Sequence, residues 1–165
     1  MGVDPGLVDT GFGVLEAAGR GAVAVIDAGV ITTPSSQPLE VRLDTIHAAL
    51  RKLIEARRPA LLVVEDLYTE YKFPRTAILM GHARGVICLA ARQAGIAVLT
   101  ISPSEVKRAV TGNGAAGKAQ VQRGVQTLLG LRDRPHPSHV ADALGLALTG
   151  LSRIMGNVPM PRNGR

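Results

Sequence analysis

The sequence predicts an α/β fold with a mixed five-stranded sheet that carries helices on both faces. Two valine-rich segments lie near the N-terminus, short apolar and amphipathic segments then alternate, and the last third is mainly helical. The chain has 165 residues, of which 46% are hydrophobic, so it can bury the core of one domain. We expect that domain to cover residues 1–155 and a flexible basic tail to cover 156–165.

The first strands are expected at the N-terminus. A short segment ends at Asp4, just before a Pro-Gly pair that is typical of a turn. Segments 10–16 and 22–31 are rich in valine and isoleucine and are joined by EAAGRG, which predicts a β-hairpin.

The middle of the chain alternates helix and strand. Apolar residues recur at spacings of four and three from Leu39 to Leu53, which predicts an amphipathic helix that Pro59 ends. The apolar run LLVVE, residues 61–65, predicts a buried central strand that ends in a carboxylate. A helix from Pro74 to about residue 94 and a strand over 96–101 are expected to follow.

The C-terminal part is expected to be helical. SPSE at 102–105 combines a serine N-cap, a proline at the first helical position and a glutamate at the third, which predicts a short helix. The segment TGNGAAG, 111–117, predicts a flexible loop before a helix over about 118–129. The last helix is expected over SHVADALGLALTGLSRIM, residues 138–155.

The charge of the chain and its cysteine content indicate the type of partner and the cellular compartment. Lysine and arginine number 19 against 13 acidic residues, and a formal charge of +6 favours a polyanion such as nucleic acid as the partner. Cys88 is the single cysteine, so no disulfide framework is possible and a reducing, cytoplasmic location is expected. No signal peptide and no apolar run of membrane-spanning length are recognised.

Polar residues stand at the ends of several predicted elements. Asp4 and Glu65 each end a strand, and His139 precedes Asp142 by three residues, which places both on one helix face. Two Mg²⁺ or Mn²⁺ ions held by such a cluster would suit phosphodiester hydrolysis. Asp4 could equally be a turn residue, the helical pair could be a cap, and strand alternation turns Asp66 away from Glu65.

Six segments carry a resemblance to a known family. They are VDPG at 3–6 with TGFG at 10–13, VVEDLY at 63–68, GHARG at 81–85, SPSEVKRAVTGNGAAGKAQVQ at 102–122 and ADALGLA at 141–147. In this order and spacing they resemble the RuvC-type Holliday junction resolvases, the crossover junction endodeoxyribonucleases. The resemblance implies an RNase H-like fold, a homodimer, and paired cuts at a four-way DNA junction that leave 5′-phosphate and 3′-hydroxyl ends. It further implies work beside a branch-migration motor.

The resemblance also assigns residues to the active site. By position, Asp4, Glu65, His139 and Asp142 match the catalytic metal ligands, with two Mg²⁺ or Mn²⁺ ions in each site. Many relatives have an aspartate where His139 stands. Because imidazole suits Mn²⁺ better than it suits Mg²⁺, we expect relatively better activity with Mn²⁺. His136, in the preceding loop, could compete with His139 as a ligand.

The DNA-binding residues are expected to flank that site. Lys107 and Lys118 match the family's basic positions, and Tyr68 matches an aromatic wedge, a role that Phe73 or Tyr71 could share. Arg75, Arg84, Arg108 and Arg123 are further phosphate-binding candidates, although Arg84 could instead be structural.

Two features of the resemblance leave alternatives open. Gly81 and Gly85 could serve internal packing or a dimer contact. The strand before Asp4 is short for a central position, so either its neighbours compensate or the protein starts upstream.

Three other functions compete with junction resolution. One is a related nuclease that acts on another nucleic acid such as RNA. A sugar-kinase or actin-like ATPase also begins with an aspartate and glycines, but it needs two such domains. A non-catalytic protein that binds bent DNA would tolerate Asp4→Asn, whereas an enzyme would lose cleavage.

Overall fold

The computed structural model describes residues 1–18, 22–67 and 74–156. It contains five strands, β1 (Gly2–Asp4), β2 (Asp9–Ala17), β3 (Val23–Thr32), β4 (Leu61–Glu65) and β5 (Ala97–Ile101). Its helices are α1 (Leu39–Arg57), α2 (Pro74–Gln93), α3 (Pro103–Thr111), α4 (Lys118–Leu128) and α5 (Ser138–Met155). The predicted elements are therefore confirmed, with ends that shift by a few residues. No helix in these ranges is long and apolar enough to cross a membrane.

The strands form one mixed sheet in the order β3-β2-β1-β4-β5. The hairpin pairs β2 with β3, β1 lies antiparallel to β2, and β1, β4 and β5 are parallel. The three-residue strand β1 is supported from both sides, and the Val63 N–H donates to the Met1 carbonyl at 2.8 Å to extend its pairing with β4. Neighbouring strands thus compensate for its shortness.

The sheet buries a different core on each face. Along β4, Leu62 and Val64 point to the face covered by α1 and α2, whereas Val63 points to the face covered by α3, α4 and α5. The predicted helices on both faces are therefore confirmed. The strand is buried on both sides, which explains why its sequence is continuously apolar until Glu65.

Helix α5 lies unusually close to the sheet because glycines face it. A Cβ at Gly2 would lie 2.1 Å from the Ala143 carbonyl oxygen, and one at Gly11 would lie 2.1 Å from the His139 carbonyl oxygen. Each distance is far below any van der Waals contact, so only glycine fits at these positions. The first turn of α5 can therefore approach the end of β1.

Gly11→Ala should both destabilise the protein and damage the neighbourhood of His139. The added methyl group overlaps main chain that cannot swing aside, so we expect a loss of about 3 kcal/mol in the free energy of unfolding, the upper end of the usual range for overpacked sites. Urea unfolding measures this loss. Gly117→Ala is the control, since its Cβ would meet only the Gln120 side chain at 3.8 Å and its φ of −77° suits alanine. Equal unfolding curves for the two variants would contradict the close approach.

Candidate active site

Asp4 is the buried acid around which the site is built. It is the last residue of β1, and its side chain is almost fully covered. His139 Nδ1 lies 2.7 Å from Asp4 Oδ2, so a residue near each end of the chain forms one hydrogen-bonded pair. The predicted meeting of these two positions is confirmed as geometry.

The first turn of α5 brings a second acid to the same place. His139 and Asp142 lie three residues apart on one helix face, as the spacing predicts. Ligand atoms of Asp4, His139 and Asp142 all lie within 4.8 Å of one another, which is close enough for one cation to touch all three. His136 is exposed in the preceding loop and is not part of this group.

Glu65 stands beside this group on the next strand. The parallel register pairs Val3 with Val64, so Asp4 and Glu65 follow at neighbouring strand ends on the α5 side of the sheet. Its ligand atoms lie outside the 4.8 Å group, although its carboxylate feels the charges of Asp4 and Asp142. Asp66 is exposed, and its Oδ1 accepts from the Leu67 N–H at 3.0 Å, as expected for a residue turned the other way.

The electrostatics of the site favour a bound cation. Burial, followed by the charges of Asp4 and Asp142, raises the pKa of Glu65 to about 7. Burial and the Asp4 charge likewise raise the pKa of Asp142 to about 6. The hydrogen bond to Asp4 raises the pKa of His139. Acids gathered in this way repel one another and are poorly hydrated, and divalent ions with hard oxygen ligands would relieve both costs.

These pKa values predict how stability changes with pH in the absence of metal. A carboxyl group whose pKa rises on folding holds its proton more tightly in the folded state, so its stabilising contribution is complete below its ordinary pKa. For Glu65 that contribution is lost as pH rises from 4.5 to about 7, and for Asp142 from 3.8 to about 6.

Glu65→Gln should therefore raise the melting temperature of the metal-free protein by several degrees at pH 8. At pH 4 the difference should nearly vanish, because Glu65 is then largely protonated in both the folded and the unfolded chain and resembles glutamine. Differential scanning calorimetry in EDTA measures both values. Added Mn²⁺ should reverse the difference in melting temperature at pH 8, because it stabilises the wild type more than the variant. A Glu65→Gln protein that is less stable than the wild type at pH 8 would contradict the assigned environment.

Two lysines provide the positive charge near these acids. Lys107 on α3 and Lys118 at the start of α4 both lower the pKa values of Glu65 and Asp142, so both face the site. Lys118 is exposed, and its Nζ lies 3.4 Å from Ser138 Oγ at the start of α5. Both lysines therefore lie near the acids, and their contact with DNA stays a prediction.

The glycine-rich loop before Lys118 is better held than its composition predicts. Thr111 still belongs to α3, and Asn113 Oδ1 accepts from the Ala115 N–H at 2.9 Å. The Gly117 N–H donates to Gln120 Oε1 at 2.9 Å, which caps α4. Side-chain hydrogen bonds thus fix the backbone that presents Lys118, which glycine content alone does not reveal.

The remaining DNA-binding candidates are only partly described. Arg75 is exposed in the first turn of α2. Tyr68, Tyr71 and Phe73 lie outside the described residues, as does the tail from 157 to 165. Arg108 and Arg123 are exposed on α3 and α4, whereas Arg84 is half-buried and bonded to the main chain.

Sequence reasoning missed the packing residues that assemble the site. Gly11 belongs to the TGFG motif, which by itself predicts no packing role, yet it is the residue that admits the His139 main chain. Gly11 and Gly13 alternate along one face of β2. This pattern could have predicted a helix packed closely against the sheet. Internal close packing at Gly85 is wrong for the described part of the chain, because a Cβ there would meet nothing within 4 Å.

Known proteins resemble the chain over nearly its whole length. The family described as Crossover junction endodeoxyribonuclease RuvC matches residues 1–150. The protein of that name from Rhodopirellula baltica is 45% identical over 91% of this chain and 84% of its own length. That from Moorella thermoacetica is 47% identical over 90% and 87%, respectively.

Solved structures show the same likeness. The structure of Thermus thermophilus RuvC in complex with Holliday junction substrate has a TM-score of 0.87 and 34% identity, covering 98% of this chain and 97% of that one. These structures have the RNase H-like fold, so the predicted fold class is confirmed.

Proposed function

The chain belongs to the RuvC family of crossover junction endodeoxyribonucleases, which are metal-dependent nucleases, and from that membership we propose how it resolves Holliday junctions. The observation that carries the proposal is the meeting of Asp4, His139 and Asp142 within 4.8 Å, with Glu65 at the neighbouring strand end. The relative solved with a Holliday junction supports four-way junction DNA as the substrate.

The four residues hold two divalent ions, Mg²⁺ or Mn²⁺. Asp4, His139 and Asp142 supply one set of ligand atoms, and Glu65 supplies a further carboxylate from the neighbouring strand end. When bound, such ions polarise the scissile phosphate and favour ionisation of the attacking water. His139 would join as a ligand through a ring nitrogen that carries no proton, and its Nδ1 lies 2.7 Å from Asp4 Oδ2.

The reaction is an in-line displacement at phosphorus. The water oxygen forms a bond to phosphorus, the bond to the 3′ oxygen breaks, and that oxygen gains a proton. The products are a 3′-hydroxyl and a 5′-phosphate, which a ligase can rejoin. Lys107 and Lys118 stabilise the charge that develops on the phosphate, and the free N–H groups at the start of α4 help to hold it.

The DNA is held by groups around the site. Arg75, Lys107 and Lys118 bind phosphates, while Tyr68 stacks against an unpaired base near the crossover, a role that Phe73 or Tyr71 could share. The formal charge of +6 supports this binding, and it predicts weaker junction affinity as salt concentration rises.

The protein acts as a homodimer, so that two sites address opposite strands. One stripe of α2 supports this proposal, since Ile78, Gly81, Gly85 and Leu89 recur at spacings of three and four on one helix face. Ile78 is 62% exposed and Leu89 is 49% exposed, so this stripe leaves apolar surface open to a second copy of the chain. A cytoplasmic location and cooperation with a branch-migration motor complete the proposal, and family membership supports the latter.

A cleavage assay on three substrates tests the function. With Mn²⁺ we expect paired, symmetric nicks in a synthetic four-way junction, and little cutting of linear duplex DNA or of an RNA–DNA hybrid. Nicked products should be sealed by DNA ligase without added kinase, because they carry 5′-phosphates. Preferred cutting of the hybrid would support the alternative, a related nuclease that acts on RNA.

A further inference from the structure

Arg84 reaches from helix α2 to the end of the strand that carries Glu65. Its Nε donates to the Glu65 carbonyl oxygen at 3.1 Å, and its Nη2 donates to Thr100 Oγ1 on β5 at 2.9 Å. The guanidinium is half-buried and ties together a helix and two adjacent strands. No carboxylate within residues 1–18, 22–67 and 74–156 forms a salt bridge with Arg84. Its guanidinium therefore donates to these two uncharged oxygen atoms.

The peptide unit that follows Glu65 is held at both of its polar atoms. Arg84 binds its carbonyl oxygen, and its N–H, which belongs to Asp66, donates to the Ile101 carbonyl oxygen at 2.9 Å. Rotation of this peptide about the Glu65 Cα–C bond would break both hydrogen bonds. The backbone that aims the Glu65 side chain is therefore fixed just where β4 ends.

We propose that Arg84 is a positioning residue that holds the Glu65 carboxylate in reach of the ions bound by Asp4 and Asp142. This inference rests on the proposed function, in which Glu65 is a metal ligand. A ligand that must be ordered at the moment of binding costs affinity, and groups that orient ligands typically contribute 10-fold to 100-fold to metal affinity. Arg84 keeps the Glu65 backbone ordered before metal binds, so this cost is avoided. Arg84 itself contacts neither metal nor DNA.

Metal binding measured directly tests this role apart from catalysis. Mn²⁺ binding to wild type, Arg84→Gln and Arg84→Lys is followed by isothermal titration calorimetry, and junction cleavage is followed against Mn²⁺ concentration. Arg84→Gln should weaken Mn²⁺ binding about 10-fold and raise the Mn²⁺ concentration for half-maximal cleavage to match. Arg84→Lys should fall between, since one ammonium cannot reproduce the two-pronged contact.

Three further measurements separate positioning from other roles. Junction affinity in EDTA should stay within about twofold of wild type, because Arg84 is not a phosphate ligand here. Thr100→Val removes the second anchor and should weaken Mn²⁺ binding about twofold to threefold. Arg92→Ala, an exposed arginine on the same helix, should change neither metal binding nor cleavage.

Wild-type Mn²⁺ affinity in a folded Arg84→Gln protein would overturn the inference, as would a loss of cleavage matched by an equal, salt-sensitive loss of junction affinity. If Arg84→Gln does not fold, Thr100→Val decides, and wild-type metal affinity there would overturn it. Glu65→Gln separates failure of the proposed metal site from failure of the positioning role of Arg84. If Glu65→Gln keeps Mn²⁺ binding and cleavage, the proposed function itself fails; if it loses both while Arg84→Gln keeps both, only the positioning role fails.

Discussion

Asp4→Asn will reduce junction cleavage by about three orders of magnitude or more while leaving junction binding intact. The substitution keeps the shape of the side chain, so the buried position at the end of β1 is filled as before. It removes a carboxylate that the proposed metal site needs, and a thousandfold loss corresponds to about 4 kcal/mol of transition-state stabilisation. Single-turnover cleavage in Mn²⁺ and gel-shift binding in EDTA measure the two properties separately.

Asp66→Asn is the matched control for this result. Asp66 is an acid next to Glu65, but it is exposed and turned away from Asp4, so its neutralisation should leave cleavage within about twofold of wild type. Removal of one negative charge near the DNA should slightly strengthen junction binding in both variants. Retained cleavage by Asp4→Asn would contradict the catalytic role of Asp4. Absence of cleavage by the wild type, with junction binding unchanged in Asp4→Asn, would support a non-catalytic protein that binds bent DNA.

His139→Ala is expected to reduce cleavage about a hundredfold. The imidazole is hydrogen-bonded to Asp4 at 2.7 Å, so its loss removes a ligand and also frees the carboxylate that it orients. Part of the lost rate should return at high Mn²⁺ concentration, because a weakened site can still be filled by mass action. Initial rates across a Mn²⁺ titration separate the loss of affinity from the loss at saturation.

Two substitutions sharpen the interpretation of this histidine. His136→Ala changes an exposed imidazole three residues earlier and should leave the rate unchanged. His139→Asp replaces a nitrogen ligand with an oxygen ligand, so activity should persist and the ratio of the Mn²⁺ rate to the Mg²⁺ rate should fall. An unchanged ratio at saturation would contradict the role of His139 in metal preference, and a large effect at His136 would transfer the ligand role to that residue.

The elements were predictable where one physical signal dominates. Residues 61–65 were expected as a strand and form one, because a segment buried on both faces must be apolar throughout. The N-cap at Ser102 was expected from the SPSE pattern, and its side chain accepts from the Glu105 N–H at 3.2 Å. These signals are local, so no knowledge of the rest of the chain was needed.

The assembly of the site depended on information that no local signal carries. The order of the strands decides that Asp4 and Glu65 are neighbours, and motif resemblance rather than periodicity supplied that expectation. The missing Cβ atoms at Gly2 and Gly11 set how near α5 can lie, which is visible only once the helix is in place. The hydrogen bond from Arg84 to the Glu65 carbonyl oxygen could not be expected either. An arginine in a motif can bind a DNA phosphate as readily as a main-chain carbonyl.

Anomalous diffraction from crystals grown with Mn²⁺ tests the central claim most directly, namely that four residues from three elements bind divalent ions together. We expect anomalous peaks with oxygen or nitrogen ligands from Asp4, Glu65, His139 and Asp142, and two peaks when junction DNA supplies a phosphate. Loss of the peaks in crystals of Asp4→Asn would complete the result. Full Mn²⁺ occupancy elsewhere on the protein, with these four side chains free of metal, would contradict the account.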